Sequence, residues 1–448
     1  MRLRSELLAA RVPRYTSYPT APHFNAGVDG TTFGTWLGDL PAGQPLSLYF
    51  HIPFCDSLCW FCGCHTRVVN SYGPVAAYVD DLMREFDLVA NAMGARHSVG
   101  HIHFGGGSPT ILRPDDIARI THRVHERFDV VPGAAFAVEI DPRGLQGPTV
   151  AAFAKAGVTR ASIGVQDVNP MVQRAVNRWQ PWSVTREAVE RLRDAGIVAL
   201  NIDLMYGLPH QSVDDVRRTV DAAVTLKPQR LAVFGYAHVP EMKRHQGLIN
   251  GASLPCAEER LRQYDVANEA LVGAGYVPIG LDHFALAGDP LAVAQRAGRL
   301  RRNFQGYTTD HADSLIGLGV SAISSLPQGY AQNTTDAPGF RARIAAGALA
   351  TARGRALSDD DRVRRAIIER LMCDLSVDVG KIAVAHGLPV NAFAAEIEAL
   401  APLAADGCVV VEGQRVAVPE GMRAAVRLVC AVFDAYLAPH PARHAVAV

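Results

Sequence analysis

The 448-residue chain is notable first for what it lacks. It lacks net charge, since Lys+Arg and Asp+Glu both total 44. Without a basic excess or an acidic tail, nucleic-acid binding is not expected. It lacks a long apolar run: nothing approaches the ~18 residues of a membrane span. The apolar stretch Leu7-Leu8-Ala9-Ala10 near the start is shorter than the roughly 7–15 residues of a secretory signal. A cytoplasmic protein that does not enter a membrane is therefore expected. It lacks the dispersed cysteines of a disulfide framework, because half of its eight cysteines crowd into one short loop and only Cys256, Cys373, Cys408 and Cys430 are scattered. Walker and Rossmann glycine fingerprints, internal repeats and low-complexity segments are also missing. What is present is an apolar content of 49 %, enough for a substantial core.

From about residue 45 to 285, short apolar runs alternate with amphipathic helical patterns. Leu46–Phe50, His101–Phe104, Phe136–Ile140, Ala161–Val165, Val198–Leu204 and Leu231–Tyr236 read as strands, with Val277–Leu281 as an extra one. Apolar residues at spacings of three and four mark helices between them, as in Val75, Tyr78, Val79, Leu82 and Phe86. Ser212 with Asp215, and Asp115-Asp116, look like helix starts. The alternation predicts an α/β fold, an incomplete parallel barrel of about six βα units. An N-terminal extension (1–45) would pack across the barrel (46–300), and a connecting segment (301–357) would lie near the active site. A mostly helical, winged-helix-like domain (358–448) would follow, with helices at Asp359–Cys373, Gly380–Ala385, Val390–Ala405 and a last one to Leu437, and a turn-linked β-like run at Cys408–Val418. In parallel sheets ligands gather at the C-terminal strand ends. The cysteine loop, Gly105-Gly106-Gly107, Glu139, Gln166 and Asp203 all fall there.

Cys55, Cys59, Cys62 and Cys64 form the pattern C-x3-C-x2-C-x-C. Thiolates are soft ligands for iron–sulfur clusters or zinc, and a structural zinc site would use two separated C-x2-C pairs. The spacing instead fits three sulfurs, Cys55, Cys59 and Cys62, each on a different iron of a 4Fe-4S cubane, leaving one iron open. Cys64, one residue beyond Cys62, reads either as a non-ligand thiol near the site or as a fourth ligand of an electron carrier. The glycine run can form a tight turn or admit a ligand close to the backbone. Glu139 can accept hydrogen bonds from an ammonium group or pair with Arg143. Asp203 suits ribose hydroxyls, while Gln166 and Arg178 offer an amide and a fixed cation. Tyr15, Tyr18, Trp60, Phe61, Phe304 and Tyr307 are candidates for one flat aromatic pocket.

The cysteine triad after the first barrel strand resembles the radical S-adenosylmethionine (SAM) enzymes. Further runs narrow the resemblance: Pro-Arg-Tyr-Thr-Ser-Tyr-Pro-Thr (13–20), Gly-Gly-Gly-Ser-Pro-Thr (105–110), Glu-Ile-Asp-Pro-Arg (139–143), Gly-Val-Gln-Asp (164–167), Asn-Ile-Asp-Leu-Met-Tyr-Gly-Leu-Pro (201–209), Leu-Asp-His-Phe-Ala (281–285) and Asn-Phe-Gln-Gly-Tyr-Thr-Thr (303–309). With Cys64, they resemble the oxygen-independent coproporphyrinogen III oxidases. Ser108 departs from the usual Thr there, and His65 from a common Asn. The resemblance implies a 4Fe-4S cluster and two SAM molecules. One SAM would meet Tyr49, Phe61, Gly106, Glu139 and Ile323. The second would meet Gly107, Ser108, Gln166, Arg178, Asp203 and Ala237. Tyr49, Cys64, Glu139, Phe304 and Gln305 are implied at the reacting centre.

The implied reaction is anaerobic decarboxylation of two propionates of coproporphyrinogen III to the vinyl groups of protoporphyrinogen IX. A 5′-deoxyadenosyl radical would start it, with electrons from a flavodoxin or ferredoxin system, in a monomeric enzyme. Arg14, Arg301, Arg302 and His283 are candidates to meet the substrate carboxylates. The alternatives are a haem-binding trafficking protein of the same superfamily and a methyltransferase-like relative.

Overall fold

Six apolar runs become six parallel strands, the first buried at nearly every position and the fourth and fifth alternating between buried and half-buried residues. The computed structural model describes residue 7 and residues 10–437; the outermost parts of the expected first and last domains lie outside the described residues. The strands are β1 (Leu46–Ile52), β2 (Ser98–Gly106), β3 (Asp129–Ile140), β4 (Arg160–Gln166), β5 (Ala199–Tyr206) and β6 (Arg230–Gly235), adjacent in chain order. Helices cross between them: α1 (Gly73–Ala92), α2 (Pro114–Arg127), α3 (Gly147–Lys155), α4 (Trp182–Asp194) and α5 (Val213–Thr225). The start of α5 is fixed by reciprocal bonds, Asp215 N–H to Ser212 Oγ at 3.2 Å and Ser212 N–H to Asp215 Oδ2 at 2.9 Å.

Side-chain alternation decides what faces the barrel interior. Leu200, Ile202 and Leu204 of β5 are buried in the main core, while Asn201 and Asp203 between them line an interior cavity. The same alternation on β3 and β4 buries Val138, Ile140, Ala161 and Ile163 and turns Glu139 and Ser162 to that cavity.

The sheet extends beyond those six strands. Downstream of β6 come α6 (Ala257–Gly273), β7 (Tyr276–Ile279) and β8 (His283–Leu286), with β8 antiparallel to β6. Strand β9 (Ser314–Leu318) pairs parallel with the free side of β1, and β10 (Ile323–Leu326), β11 (Gly329–Asn333) and β12 (Thr351–Ala356) continue antiparallel. The twelve-stranded sheet ends at β12 and β7, which do not pair with each other, so the barrel stays open. The segment expected only to connect domains thus supplies a parallel strand and most of one edge.

Helix α7 (Asp359–Asp374) opens the C-terminal domain, again with a capping box, from Ser358 and Asp361. A three-stranded sheet of Ser376–Asp378, Arg415–Ala417 and Val410–Glu412 follows, and its first strand is too short to show in the sequence pattern. The expected helix over 390–405 starts only at Ala394 and divides into Ala394–Ala399 and Ala401–Ala405. Pro402 lacks the amide proton needed to continue one helix. The last helix, α8 (Val426–Val432), is shorter than expected and follows a 3-10 turn at Glu420–Ala425. Tyr15 and Tyr18 belong to this domain's core, beside Val363, Ile367, Val429 and Phe433. The N-terminal segment therefore packs on the C-terminal domain as well as on the barrel. No helix among the described residues is long and apolar enough to cross a membrane.

Candidate active site

The cysteine loop leaves β1 at Ile52 and is held from several directions. Trp60 N–H donates to Val176 O at 2.9 Å, and Asn177 Nδ2 to Leu58 O at 2.8 Å. On its other side, Gln246 Nε2 donates to Phe61 O at 3.0 Å, His245 Nε2 to Cys62 O at 2.7 Å and Lys243 Nζ to Cys64 O at 3.0 Å. These bonds fix the loop backbone without using its thiols.

All four thiols are free; Cys59 is buried, Cys55 and Cys62 half-buried, and Cys64 exposed. Arg143 Nη2 lies 3.3 Å and Arg178 Nη1 3.4 Å from Cys59 Sγ. Both guanidiniums also pair with Asp141, at 2.6 Å and 3.3 Å. These cationic donors offset the negative charge that a thiolate iron ligand carries. Among the described residues, no group of three His, Cys, Asp or Glu side chains is placed to hold a single metal ion. The spacing of Cys55, Cys59 and Cys62 on one loop suits a cubane, in which each sulfur takes its own iron, better than a structural zinc site, which uses two separated C-x2-C pairs. The donor set therefore fits a 4Fe-4S cluster on Cys55, Cys59 and Cys62. Cys64 N–H points to Cys62 Sγ at 3.4 Å, and the Cys64 thiol itself is hydrogen-bonded with the Cys62 thiol.

The glycine run ends β2 beside this loop. Gly106 has φ +113°, and a Cβ there would stand 2.6 Å from His51 Cε1. A Cβ on Gly105 would stand 2.8 Å from Glu139 Oε1. Gly107 N–H and Ser108 N–H are bonded to Ile52 O at 2.8 Å and Phe54 O at 2.7 Å, and Ser108 Oγ to Thr110 Oγ1 at 2.7 Å. The glycines thus let β2 lie against both the cysteine loop and Glu139.

Glu139 accepts from Gly106 N–H at 3.0 Å and meets His103 Nε2 at 3.3 Å, and its expected alternative partner Arg143 is on Asp141 instead. Desolvation raises its pKa, but His103 and the Gly106 amide together hold it below the ordinary glutamate value. Tyr49 and His103 have ring centroids 5.7 Å apart. His51 Nε2 faces His65 O at 2.9 Å and Nδ1 faces Tyr49 Oη at 3.0 Å. A carbonyl only accepts, so Nε2 carries the proton and Nδ1 receives the tyrosine's. Asp203 accepts from Ser162 Oγ at 2.8 Å and Asn201 Nδ2 at 2.7 Å, and burial pushes its pKa up to about 6. Glu139, Ser162, Asn201, Asp203 and Gln305 line one cavity of about 420 Å³.

Other expected site residues are more dispersed. Gln166, with φ +70°, and Arg178 meet over Gly164, where Arg178 Nη2 donates to the carbonyl at 2.6 Å. Ile323 lies against Gly317, the β9 partner of Tyr49. Ala237, half-buried, follows the end of β6 by two residues. Phe304 packs edge-on to Tyr330 at 5.7 Å. Of the six aromatic residues, Tyr15, Tyr18 and Phe304 line one pocket together and the other three do not join it. Trp60 and Phe61 pack with Val172 and Leu208, Tyr307 with Ile279 and Leu300, and Tyr15 and Tyr18 with the C-terminal core, because each side chain finds its own apolar neighbours. Arg301 pairs with Glu369 at 3.1 Å and His283 with Asp282 at 2.7 Å. Residue-type reading overlooked His51, His103 and Asp141; the period-2 alternation puts both histidines on the Tyr49 and Glu139 side and was the signal available.

The family model described as Radical SAM superfamily matches residues 49–223, and that of the HemN C-terminal domain matches 357–421. A relative from Bradyrhizobium diazoefficiens, named oxygen-independent coproporphyrinogen III oxidase, is 50 % identical over 98 % of this chain and 97 % of its own. The chain belongs to the oxygen-independent coproporphyrinogen III oxidase family. A Pseudomonas aeruginosa member of that name is 40 % identical, covering 95 % of this chain and 93 % of its own. Among solved structures, the family's Escherichia coli radical SAM enzyme, coproporphyrinogen III oxidase (HemN), aligns with TM-score 0.90 and 39 % identity over 95 % of this chain and 98 % of that one. The oxidase family thus spans barrel and C-terminal domain together.

Proposed function

We propose that this chain carries out the anaerobic oxidative decarboxylation of two propionates of coproporphyrinogen III, giving the vinyl groups of protoporphyrinogen IX. The observation that carries this reading is the loop of three free thiols, with two guanidiniums on Cys59, set beside the cavity of Glu139 and Asp203 in a chain of this family. When bound, the 4Fe-4S cluster and SAM supply a 5′-deoxyadenosyl radical that takes a β-hydrogen from a propionate. Each propionate loses that hydrogen, carbon dioxide and one electron.

The chain's own residues position and shield. Cys55, Cys59 and Cys62 hold the cluster, with Arg143 and Arg178 offsetting thiolate charge. Glu139, kept ionised by His103 and Gly106, accepts hydrogen bonds from the ammonium group of SAM. Tyr49, its hydroxyl proton given to His51, and Phe61, Gly106 and Ile323 flank the same ligand. Asp203, oriented by Ser162 and Asn201, takes ribose hydroxyls of a second SAM beside Gly107, Ser108, Gln166, Arg178 and Ala237. Phe304, Gln305 and Cys64 border the reacting propionate. The enzyme works as a cytoplasmic monomer and takes electrons from a flavodoxin or ferredoxin system.

The test is an anaerobic assay of the reconstituted enzyme with SAM, a reductant and coproporphyrinogen III. Protoporphyrinogen and carbon dioxide in a 1:2 ratio are expected from the stoichiometry. Tight haem binding without turnover would overturn the reading in favour of trafficking, and S-adenosylhomocysteine without carbon dioxide in favour of methyl transfer.

A further inference from the structure

An imidazole in the reaction cavity is anchored at one nitrogen and, among the described residues, has no partner at the other. His283, on β8, has a side chain 11 % exposed, and its Nδ1 meets Asp282 Oδ1 at 2.7 Å. Burial raises the Asp282 pKa, but Arg302 and His283 itself hold it well below the usual carboxylate range. An ionised carboxylate only accepts, so Nδ1 carries the proton and Nε2 of the neutral ring is left as an acceptor. Nε2 makes no hydrogen bond to any described residue, and the ring lines the cavity shared by Glu139, Asp203 and Gln305.

Its neighbours lock the ring. Phe234 of β6 and Tyr307 of the strand Gly306–Thr308 both stand edge-on to it, with centroids at 5.6 Å and 5.2 Å. The same strand leaves room at Nε2. Gly306 has φ +119°, and a Cβ there would stand 3.2 Å from Nε2. Nε2 therefore lies beside the turn that carries Phe304 and Gln305, the residues set at the reacting propionate.

The surroundings select what this acceptor takes. Asp203 and Glu139 line the same cavity, and Asp282 lies behind the ring. Burial raises the Asp203 pKa and His283 is near enough to oppose it. The cavity's arginines, Arg160 and Arg230, open β4 and β6 at the other end of the strands and face Asp289 at 3.7 Å and 2.8 Å. A ligand carboxylate at Nε2 would meet like charge, whereas a neutral N–H donor does not. Two aromatic edges beside an acceptor suit a flat N–H heterocycle. Coproporphyrinogen III presents four pyrrole N–H groups.

We propose that His283, oriented by Asp282, accepts a hydrogen bond from a pyrrole N–H of the tetrapyrrole substrate and so sets how the macrocycle sits in the barrel. This rests on the proposed oxidase function, which supplies the ligand. It assigns His283 to the macrocycle itself rather than to a carboxylate.

The test uses the anaerobically reconstituted holoenzyme with His283→Met and His283→Gln. Both side chains are close to histidine in length, but Gln keeps a carbonyl acceptor near the Nε2 position and Met does not. Dissociation constants are measured by fluorescence quenching for coproporphyrinogen III, for SAM and for the palladium complex of coproporphyrin III. That complex has the same four carboxylates but no N–H, and its square-planar metal takes no further ligand. His283→Met is expected to weaken coproporphyrinogen binding about tenfold, or ~1.4 kcal/mol, and His283→Gln about threefold or less. Affinity for the palladium complex, SAM affinity and cluster absorbance stay unchanged. Equal losses in the two variants would mark a purely structural role and overturn the proposal. Equal weakening of coproporphyrinogen and the palladium complex would mean a carboxylate contact, and weakened SAM binding a cofactor contact; either overturns it. Unchanged coproporphyrinogen affinity in both variants, with a wild type that binds and turns over, overturns the His283 contact alone. A wild type that binds no coproporphyrinogen overturns the proposed function and the contact together.

Discussion

The Gly106 amide donates to Glu139 Oε2 at 3.0 Å, and the same residue leaves no space for a side chain, since a Cβ would stand 2.6 Å from His51 Cε1. Its φ of +113° is unfavourable for any other residue. Gly106→Ala must move either the β2 terminus or the His51 ring, and either movement disturbs Glu139. The expected outcome is a tenfold or greater loss of SAM affinity, about 1.4 kcal/mol or more. Cluster content is retained, because none of the thiols contacts Gly106. Calorimetric SAM titration of reconstituted protein checks this.

The thiols separate by role. Cys59 is buried under two guanidiniums, whereas Cys64 is exposed and meets Cys62 through both its amide and its thiol. Cys59→Ser is expected to abolish the 4Fe-4S absorbance and iron content after reconstitution. Cys64→Ser is expected to keep the cluster and lower turnover. Loss of iron in Cys64→Ser would show that its sulfur is a ligand.

Arg143 bridges Asp141 and Cys59, so its charge bears on the cluster as well as on the loop. A nearby cation favours the more negative, reduced cluster. Arg143→Gln is expected to lower the midpoint potential by some tens of millivolts, where ~59 mV is a tenfold change for one electron. A redox titration followed by electron paramagnetic resonance measures the shift. An unchanged potential would mean that Asp141 neutralises Arg143 fully.

Strands β1 to β6 were legible because each combines an apolar face with a defined break, and their order follows from right-handed βα crossovers. Strand β9 was not. Ser314–Leu318 is five residues long and buried throughout, so it shows no alternation, and its partner β1 lies more than 260 residues earlier. The short β10–β12 strands were hidden for the same reason. At the site, the cysteine spacing carried its own meaning. Arg143 stood as the alternative partner of Glu139, which begins the same run, and the Asp-Pro-Arg sequence is itself a turn signal that decides against it: Arg143 N–H bonds to Asp141 Oδ1 at 3.0 Å, turning the guanidinium onto the nearer carboxylate.

A buried carboxyl far from the cysteines should dominate the pH dependence of stability. Glu85 accepts from Gly319 N–H at 2.6 Å and from Asn333, and burial raises its pKa to about 8. Unfolded, it ionises near ~4.3. Between these values the native state binds more protons than the unfolded chain, so the Glu85 contribution is lost as pH rises, by up to ~1.4 kcal/mol per unit, and levels off above pH 8. Glu85→Gln is expected to remove that slope whatever it does to stability at one pH. Urea midpoints between pH 5 and 9 for both proteins decide it.

The N-terminal segment couples the two ends of the chain through two buried hydroxyls, Tyr18 Oη accepting Ala435 N–H at 3.0 Å and Tyr15 Oη bonding to Asp434. Tyr15 is 4 % exposed, and its Oη donates to Asp434 Oδ2 at 3.0 Å, while Asp434 Oδ1 accepts Tyr436 N–H at 2.9 Å. Tyr15→Phe keeps the ring packed against the C-terminal core but leaves one carboxylate oxygen without this donor. Loss of a bond to a charged group costs about 1.5–3 kcal/mol. The variant is expected to show faster amide exchange in residues 358–437 with little change in β1–β6. Uniformly faster exchange across the barrel would show instead that the two domains unfold as one unit.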